Sequence, residues 1–180
     1  MNWRSLAPHR LVRDTRGVSA VEFALIAPLM VSLYLGCVEI SDGVSAQRKV
    51  TLIASTVANL TAQSTTLSTT DVSNILDAST AIIYPYGSST LKMTVSCIAI
   101  DANKNATVKW SVTRNGTALS GGVTLPSALQ VANTQLVYSQ VSYGYKPAVG
   151  YTITGTLTLS EQMYMMPRIT APTYNTTACS

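Results

Sequence analysis

An α+β fold is what this chain of 180 residues predicts: a long N-terminal membrane-spanning helix and a short helix packed on an antiparallel β-sheet. Three observations carry the prediction. An apolar run occupies residues 18 to 39, an apolar stripe at helical spacing continues it to residue 60, and from Leu91 onward apolar and polar residues alternate in several short segments. Only 11% of residues are charged while Ser and Thr abound, a composition suited to an exported, polar and weakly charged surface. The formal charge of +4 sits mostly before Gly17, where Arg4, Arg10, Arg13 and Arg16 face only Asp14. The rest of the chain carries almost no net charge and no basic cluster beyond Arg48-Lys49, which argues against nucleic acid as a partner.

A basic start ahead of an apolar run fits three arrangements: a cleaved secretory signal, an uncleaved start-anchor, or a prepilin-type leader. Phe23 to Val38 is sixteen uncharged residues, and Val18 to Val21 extend the run to the roughly 20 residues that cross a bilayer. That is long for a signal sequence, and small-residue cleavage sites come late after it, so simple secretion fits least. Arginines before the run place the N-terminus in the cytoplasm and everything after about residue 40 across the membrane. Glu22 is the anomaly, because an acidic side chain at a bilayer centre costs about 2.5 to 3.5 kcal/mol and less near its edge. Cleavage after Gly17 would give Val18 a free amine one helical turn from Glu22, and amine and carboxylate of neighbouring chains could then pair inside a helical bundle. A Glu that snorkels to the headgroups satisfies the position equally well.

The string RGVSAVEFALIAPLM resembles the processing site of type IV prepilins, with Gly17 ahead of the cut and Glu22 fifth after it. More closely it resembles the TadE-like minor pseudopilins of tight-adherence (Tad/Flp) pilus systems, on Gly17, Glu22, Phe23, Ala27 and Pro28. The tracts VSYGYKP at 141–147 and PRIT at 167–170 resemble the tail of the same family. The resemblance implies a prepilin peptidase that removes residues 1–17 between Gly17 and Val18. It also implies assembly register through Glu22 and Phe23, and as partners other major and minor pilins and the pilus assembly machinery in the membrane. Pro28 falls eleven residues into the mature helix, earlier than in archetypal type IV pilins. It removes a backbone donor and predicts a kink or loosening over Ala24 to Pro28, unless it is simply a membrane-helix proline without a task.

Beyond the bilayer, Ala46, Val50, Ile53, Val57 and Leu60 recur at spacings of four, three, four and three, an amphipathic stripe for packing on a head domain. TAQSTTLSTT at 61–70 loses the period. Asp71 reads as the N-cap of a second helix with Val72, Ile75, Leu76 and Ser79 on one face and Pro85 closing the segment. Leu91 to Ile100 reads as a strand apolar on both sides and therefore central. Asp101 to Asn105 supply a turn, and Val108, Trp110 and Val112 share one face of the partner strand, with Trp110 in the core. After a Gly-rich loop at Asn115-Gly116 and Ser120 to Gly122, Leu136 to Tyr145 and Tyr151 to Ser160 form a second hairpin. Its last strand sets Tyr151, Ile153, Leu157 and Leu159 against threonines, so the sheet should have a buried face, covered by both helices, and a polar Thr face.

The expected division is a basic leader at 1–17, a transmembrane and amphipathic helix at 18–62, and a periplasmic head at 63–180, in a single-pass protein of the inner membrane. Cys37, within the apolar run, reads as a small buried hydrophobe. Cys97 and Cys179 both fall in the oxidising compartment, which favours a disulfide over two unpaired thiols. His9 is the sole histidine and lies in the leader, so no Ser-His-Asp or Cys-His set survives processing. No metal-ligand spacing and no phosphate-binding loop is present, and Asp71, Asp77 and Asp101 read as cap and turn residues. The expectation is a subunit with no catalytic residues, no cofactor, no metal and no small-molecule substrate. The alternative is an uncleaved membrane-anchored binding domain, and a secreted adhesin is a more distant third. Asn-x-Ser/Thr strings at Asn59, Asn105, Asn115 and Asn175 arise readily in a Thr-rich chain.

Overall fold

The computed structural model describes residues 17–147 and 155–179 and shows an α+β arrangement. Helix α1, Val18–Gln63, runs without interruption through Pro28. Its first half is exposed all round. From Glu39 onward one face is buried, through Ala46, Val50, Ile53, Ala54, Val57, Ala58, Thr61 and Ala62. Four of these are alanines, and the absence of bulk there lets the helix axis lie close against the sheet, chiefly on its last two strands. The stripe read from the sequence holds at Ala46, Val50, Ile53 and Val57, but Leu60 points outward and Thr61 takes the buried place. Cys37 is likewise exposed rather than buried, because the head packs on α1 only beyond it.

The Thr-rich tract is more ordered than its composition suggests. α1 extends to Gln63, and Thr66–Leu67 form a short strand, β1, with Leu67 buried. Helix α2, Thr69–Thr80, is capped by Ser68, not by Asp71. Asp71 stands three positions on and closes a capping box: its amide donates to Ser68 Oγ at 3.1 Å, and the Ser68 amide donates to Asp71 Oδ2 at 2.9 Å. The Ser68 hydroxyl and amide hold the Asp71 carboxyl below its ordinary value. Val72, Leu76 and Ser79 are buried, with Ile75 packed beside them. α2 lies chiefly on α1 and on the turn that follows it, and Asp77 reaches across to pair with Arg114.

Among the described residues, four antiparallel strands make the main sheet in the order β3-β2-β4-β5: β2 Leu91–Ile100, β3 Ala106–Arg114, β4 Thr134–Tyr145 and β5 Leu157–Met165. β2 is central, as its two apolar faces require. Against α1 it places Leu91, Met93, Val95 and Cys97, joined by Val137, Val141, Tyr143, Tyr145 and Leu159. The opposite face is not uniformly polar. Ile98, Ile100, Ala106, Leu136 and Tyr138 form a second core there with Leu125 of the long β3–β4 connection. The hairpin strand departs from simple alternation for a local reason: Cys97 pairs with Trp110 but Ile98 pairs with Val108, so Lys109 is an extra residue. That bulge sends Trp110 to the helix side and Val108 to the second core.

β5 was expected over Tyr151 to Ser160. Among the described residues it begins at Leu157 and runs on to Met165, paired with β4 as far as Val137. Tyr151 and Ile153 lie outside the described residues, and Leu157 at the strand start is exposed while Leu159 is buried. The chain then folds back over the helix end. The Arg168 amide donates to Ala62 O at 2.9 Å, and Thr173–Tyr174, β6, pair in parallel with β1. The Trp110 indole donates to Pro172 O at 3.0 Å. Cys179 reaches Cys97 at disulfide distance, with Cα atoms 5.9 Å apart.

Candidate functional site

The residues singled out for processing and assembly lie together at the N-terminal end of α1. Gly17 sits at the N-cap with φ −86 and ψ −14, a conformation open to any residue, and offers no side-chain cap to the helix. A Cβ placed on Gly17 would meet nothing within 4 Å. Neither backbone geometry nor packing therefore calls for glycine here. Residues 1–16, the remainder of the expected leader, lie outside the described residues.

One turn further, Glu22 is exposed on the helix surface beside Phe23, which is 69% exposed. Val18 lies four positions before Glu22 on the same side of the helix, so the two residues are axial neighbours. Leu25, Ile26, Leu29, Met30, Val31, Leu33 and Tyr34 are all more than half exposed, and this apolar helix is long enough to cross a membrane. In water such a surface would be strongly unfavourable, since each fully exposed large side chain forgoes roughly 1.5 to 3 kcal/mol of burial. At Pro28 the missing amide leaves the Ala24 carbonyl without its helical donor. Ser32 Oγ donates to Pro28 O at 2.7 Å, a polar contact kept local to the helix.

Glu39 was not singled out by the sequence reading, yet it is the buried acid of α1, 2% exposed where the apolar half meets the head. The signal was present, because Glu39 precedes Ala46 by seven residues and so falls on the same stripe as Val50 and Val57. Tyr145, beside it, has its phenol pushed up by burial first and then by the charges of Asp42 and Glu39 and the neighbouring Tyr86 and Tyr143. Tyr86 meets Tyr145 edge-on with ring centroids 5.9 Å apart and donates its hydroxyl to Asp42 O at 3.1 Å. These contacts fix the tract 141–147 against the helix just above the apolar half. Two tyrosines with a wet end and an apolar body suit that level.

At the far end of the same helix, the 167–170 tract is tied by Arg168, whose guanidinium donates to Asn59 Oδ1 at 2.8 Å. Both tracts at the chain's tail thus touch α1. Among the described residues, no group of three or more His, Cys, Asp or Glu lies close enough to hold a metal ion.

A family model described as TadE-like protein matches residues 17–59, the stretch from the helix N-cap to the residue that receives Arg168. No curated protein and no solved structure matches the chain. The family match supports association with the Tad pilus and with its machinery in general.

Proposed function

Taking residues 17–59 as a TadE-like segment, we propose that the chain is a minor pilin or pseudopilin that serves assembly or initiation of a Tad/Flp-type pilus. In this reading a prepilin peptidase cuts after Gly17 and the subunit is held in the inner membrane by α1, N-terminus inward and head in the periplasm. It works by packing against other pilin subunits and the membrane machinery, with no catalytic residue and no cofactor of its own. The observation that supports it best is the pairing of a glycine that the fold does not need with an exposed acid one turn beyond it, on a helix otherwise exposed and apolar. Cleavage supplies the amine of Val18, and a neighbouring subunit's Glu22 gives that charge a partner away from water, where an opposite charge is worth most.

N-terminal sequencing of the membrane-extracted protein from its host tests the cut. A chain beginning at Val18 is expected; one beginning at Met1 or Asn2 would instead establish the uncleaved, membrane-anchored binding domain. Glu22→Ala tests the pairing separately: leader removal should persist while co-purification with the sheared pilus or the membrane assembly complex is lost. Normal incorporation of that variant would remove Glu22 from the mechanism.

A further inference from the structure

The outer face of the sheet carries a second feature, remote from the apolar helix. At the end of the face away from the second core, the strands present Lys92 and Thr94 of β2 and Gln140 and Ser142 of β4. The register sets Lys92 opposite Ser142, and Thr94 opposite Gln140. A wall formed by Thr117 and Leu119 encloses them in a concavity of about 270 Å³. Gly116 makes the wall possible: a Cβ there would come within 2.7 Å of Thr113 Oγ1 and 3.3 Å of Thr94 Oγ1, so only glycine lets the loop approach the strands this closely.

Polar groups next to this concavity satisfy one another. Ser96 Oγ donates to Ser111 Oγ at 2.8 Å, and the Thr94 and Thr113 hydroxyls lie 3.1 Å apart. Three of the residues that line it do not. Among the described residues, the side chains of Lys92, Gln140 and Ser142 have no hydrogen bond or ion pair to protein groups. Gln140 and Ser142 are nevertheless half-buried and carried by a central strand, and both line the concavity with their donors and acceptors unspent on the protein. Gln162 and Ser160 extend the two rows onto β5. Lys92 is the only charged residue of the lining. The acid nearest in the strand order, Glu161, belongs to the other face, where Gln47 and Thr51 donate to its Oε2 at 3.2 and 3.1 Å. One row further, Tyr138 and Tyr164 set their rings 4.9 Å apart, with Tyr164 partly exposed, an aromatic flank to the polar floor.

From these residues we infer that the concavity over β2 and β4 is a binding site for an acidic saccharide, a pyranose bearing a carboxylate. Amide and hydroxyl groups with unspent donors and acceptors match the alternating donors and acceptors of sugar hydroxyls. The lone ammonium of Lys92 complements one carboxylate, and an aromatic ring at the margin suits the apolar face of a pyranose. A peptide is a poorer fit, since β2 and β4 are both paired on each side and offer no edge for strand addition. A nucleic acid is poorer still with a single cation.

The test uses the full chain in an uncharged, non-glycosidic detergent, with calorimetric titration of trigalacturonate and 3′-sialyllactose against their neutral counterparts maltotriose and lactose. Saturable binding of an acidic probe, about tenfold or more tighter than its neutral counterpart, is expected. Lys92→Gln should abolish that preference, and Gln140→Ala should weaken both kinds of sugar. Methyl resonances of Thr94, Thr117 and Leu119 in the unsubstituted chain provide a second measurement that no folding defect can obscure, and they should shift on titration. The inference is overturned if neither acidic probe saturates, if the substituted chains bind undiminished, or if the shifts fall elsewhere on the molecule.

Discussion

Removing the link between Cys97 and Cys179 tests how the tail contributes to the head. The two residues are 82 apart in sequence. In the chain-entropy treatment, closing a ring of that size removes about 15 cal/mol/K from the unfolded chain, or about 4.5 kcal/mol at 25 °C. The folded state keeps the tail in place by other means, through Trp110 to Pro172, Arg168 to Ala62 and Asn175 to Leu67, so the effect should fall on the unfolded ensemble. Cys97 and Cys179 are both buried, which makes alanine the appropriate replacement because a serine would bury a hydroxyl. The assay is guanidinium unfolding in neutral detergent, followed by Trp110 fluorescence in a Trp3→Phe background where Trp110 is the sole tryptophan of the two. The double alanine variant should lose about 4.5 kcal/mol, and the parent chain unfolded under reductant should lose the same. A loss below about 1 kcal/mol in both would refute the reasoning, and would mean that the unfolded tail is already confined without the bond.

Two further substitutions probe the packing. Leu136→Ala, in the core on the outer side of the sheet, should cost about 2 to 5 kcal/mol in the same denaturation assay, and a smaller loss than about 1 would show that the β3–β4 connection does not seal that side. Ser68→Ala should cost about 1 kcal/mol by opening the capping box of α2. The pH dependence follows from Asp71, whose carboxyl lies below its ordinary 3.8 because Ser68 hydrogen-bonds the ionised form. Its contribution is therefore complete above 3.8 and is lost as pH falls through the lower folded value, and Asp71→Asn should flatten that part of an acid unfolding curve.

The elements with one strong period were readable from the residues alone. Val50, Ile53 and Val57 locate the inward side of α1, and the alternation of Leu91 to Ile100 on both sides identifies a central strand. What escaped depended on partners distant in sequence. Lys109 becomes an extra residue only because Ile98 pairs with Val108, so nothing local reveals that Val108 and Trp110 face opposite ways. Asp71 and Ser68 are both good capping residues, and the helix uses both, Ser68 as the cap and Asp71 as the acid that closes the box. β5 continues through Glu161 to Met165, where Met163, Tyr164 and Met165 are consecutive apolar residues that carry no period of two. For the functional end the residues Gly17, Glu22 and Phe23 stood out as sequence, whereas Glu39 was passed over as the end of an apolar run. It is buried where Tyr145, a hundred residues later in the chain, comes close enough to feel its charge.

Since α1 is one continuous helix of 46 residues, no loop separates its lipid-suited half from its head-bearing half. Residues 39–63 project about 37 Å beyond the apolar part at 1.5 Å per residue, so each 10° of tilt at the base carries the outer end sideways by about 6 Å. Without a loop between the halves, whatever grips the apolar end also aims the sheet.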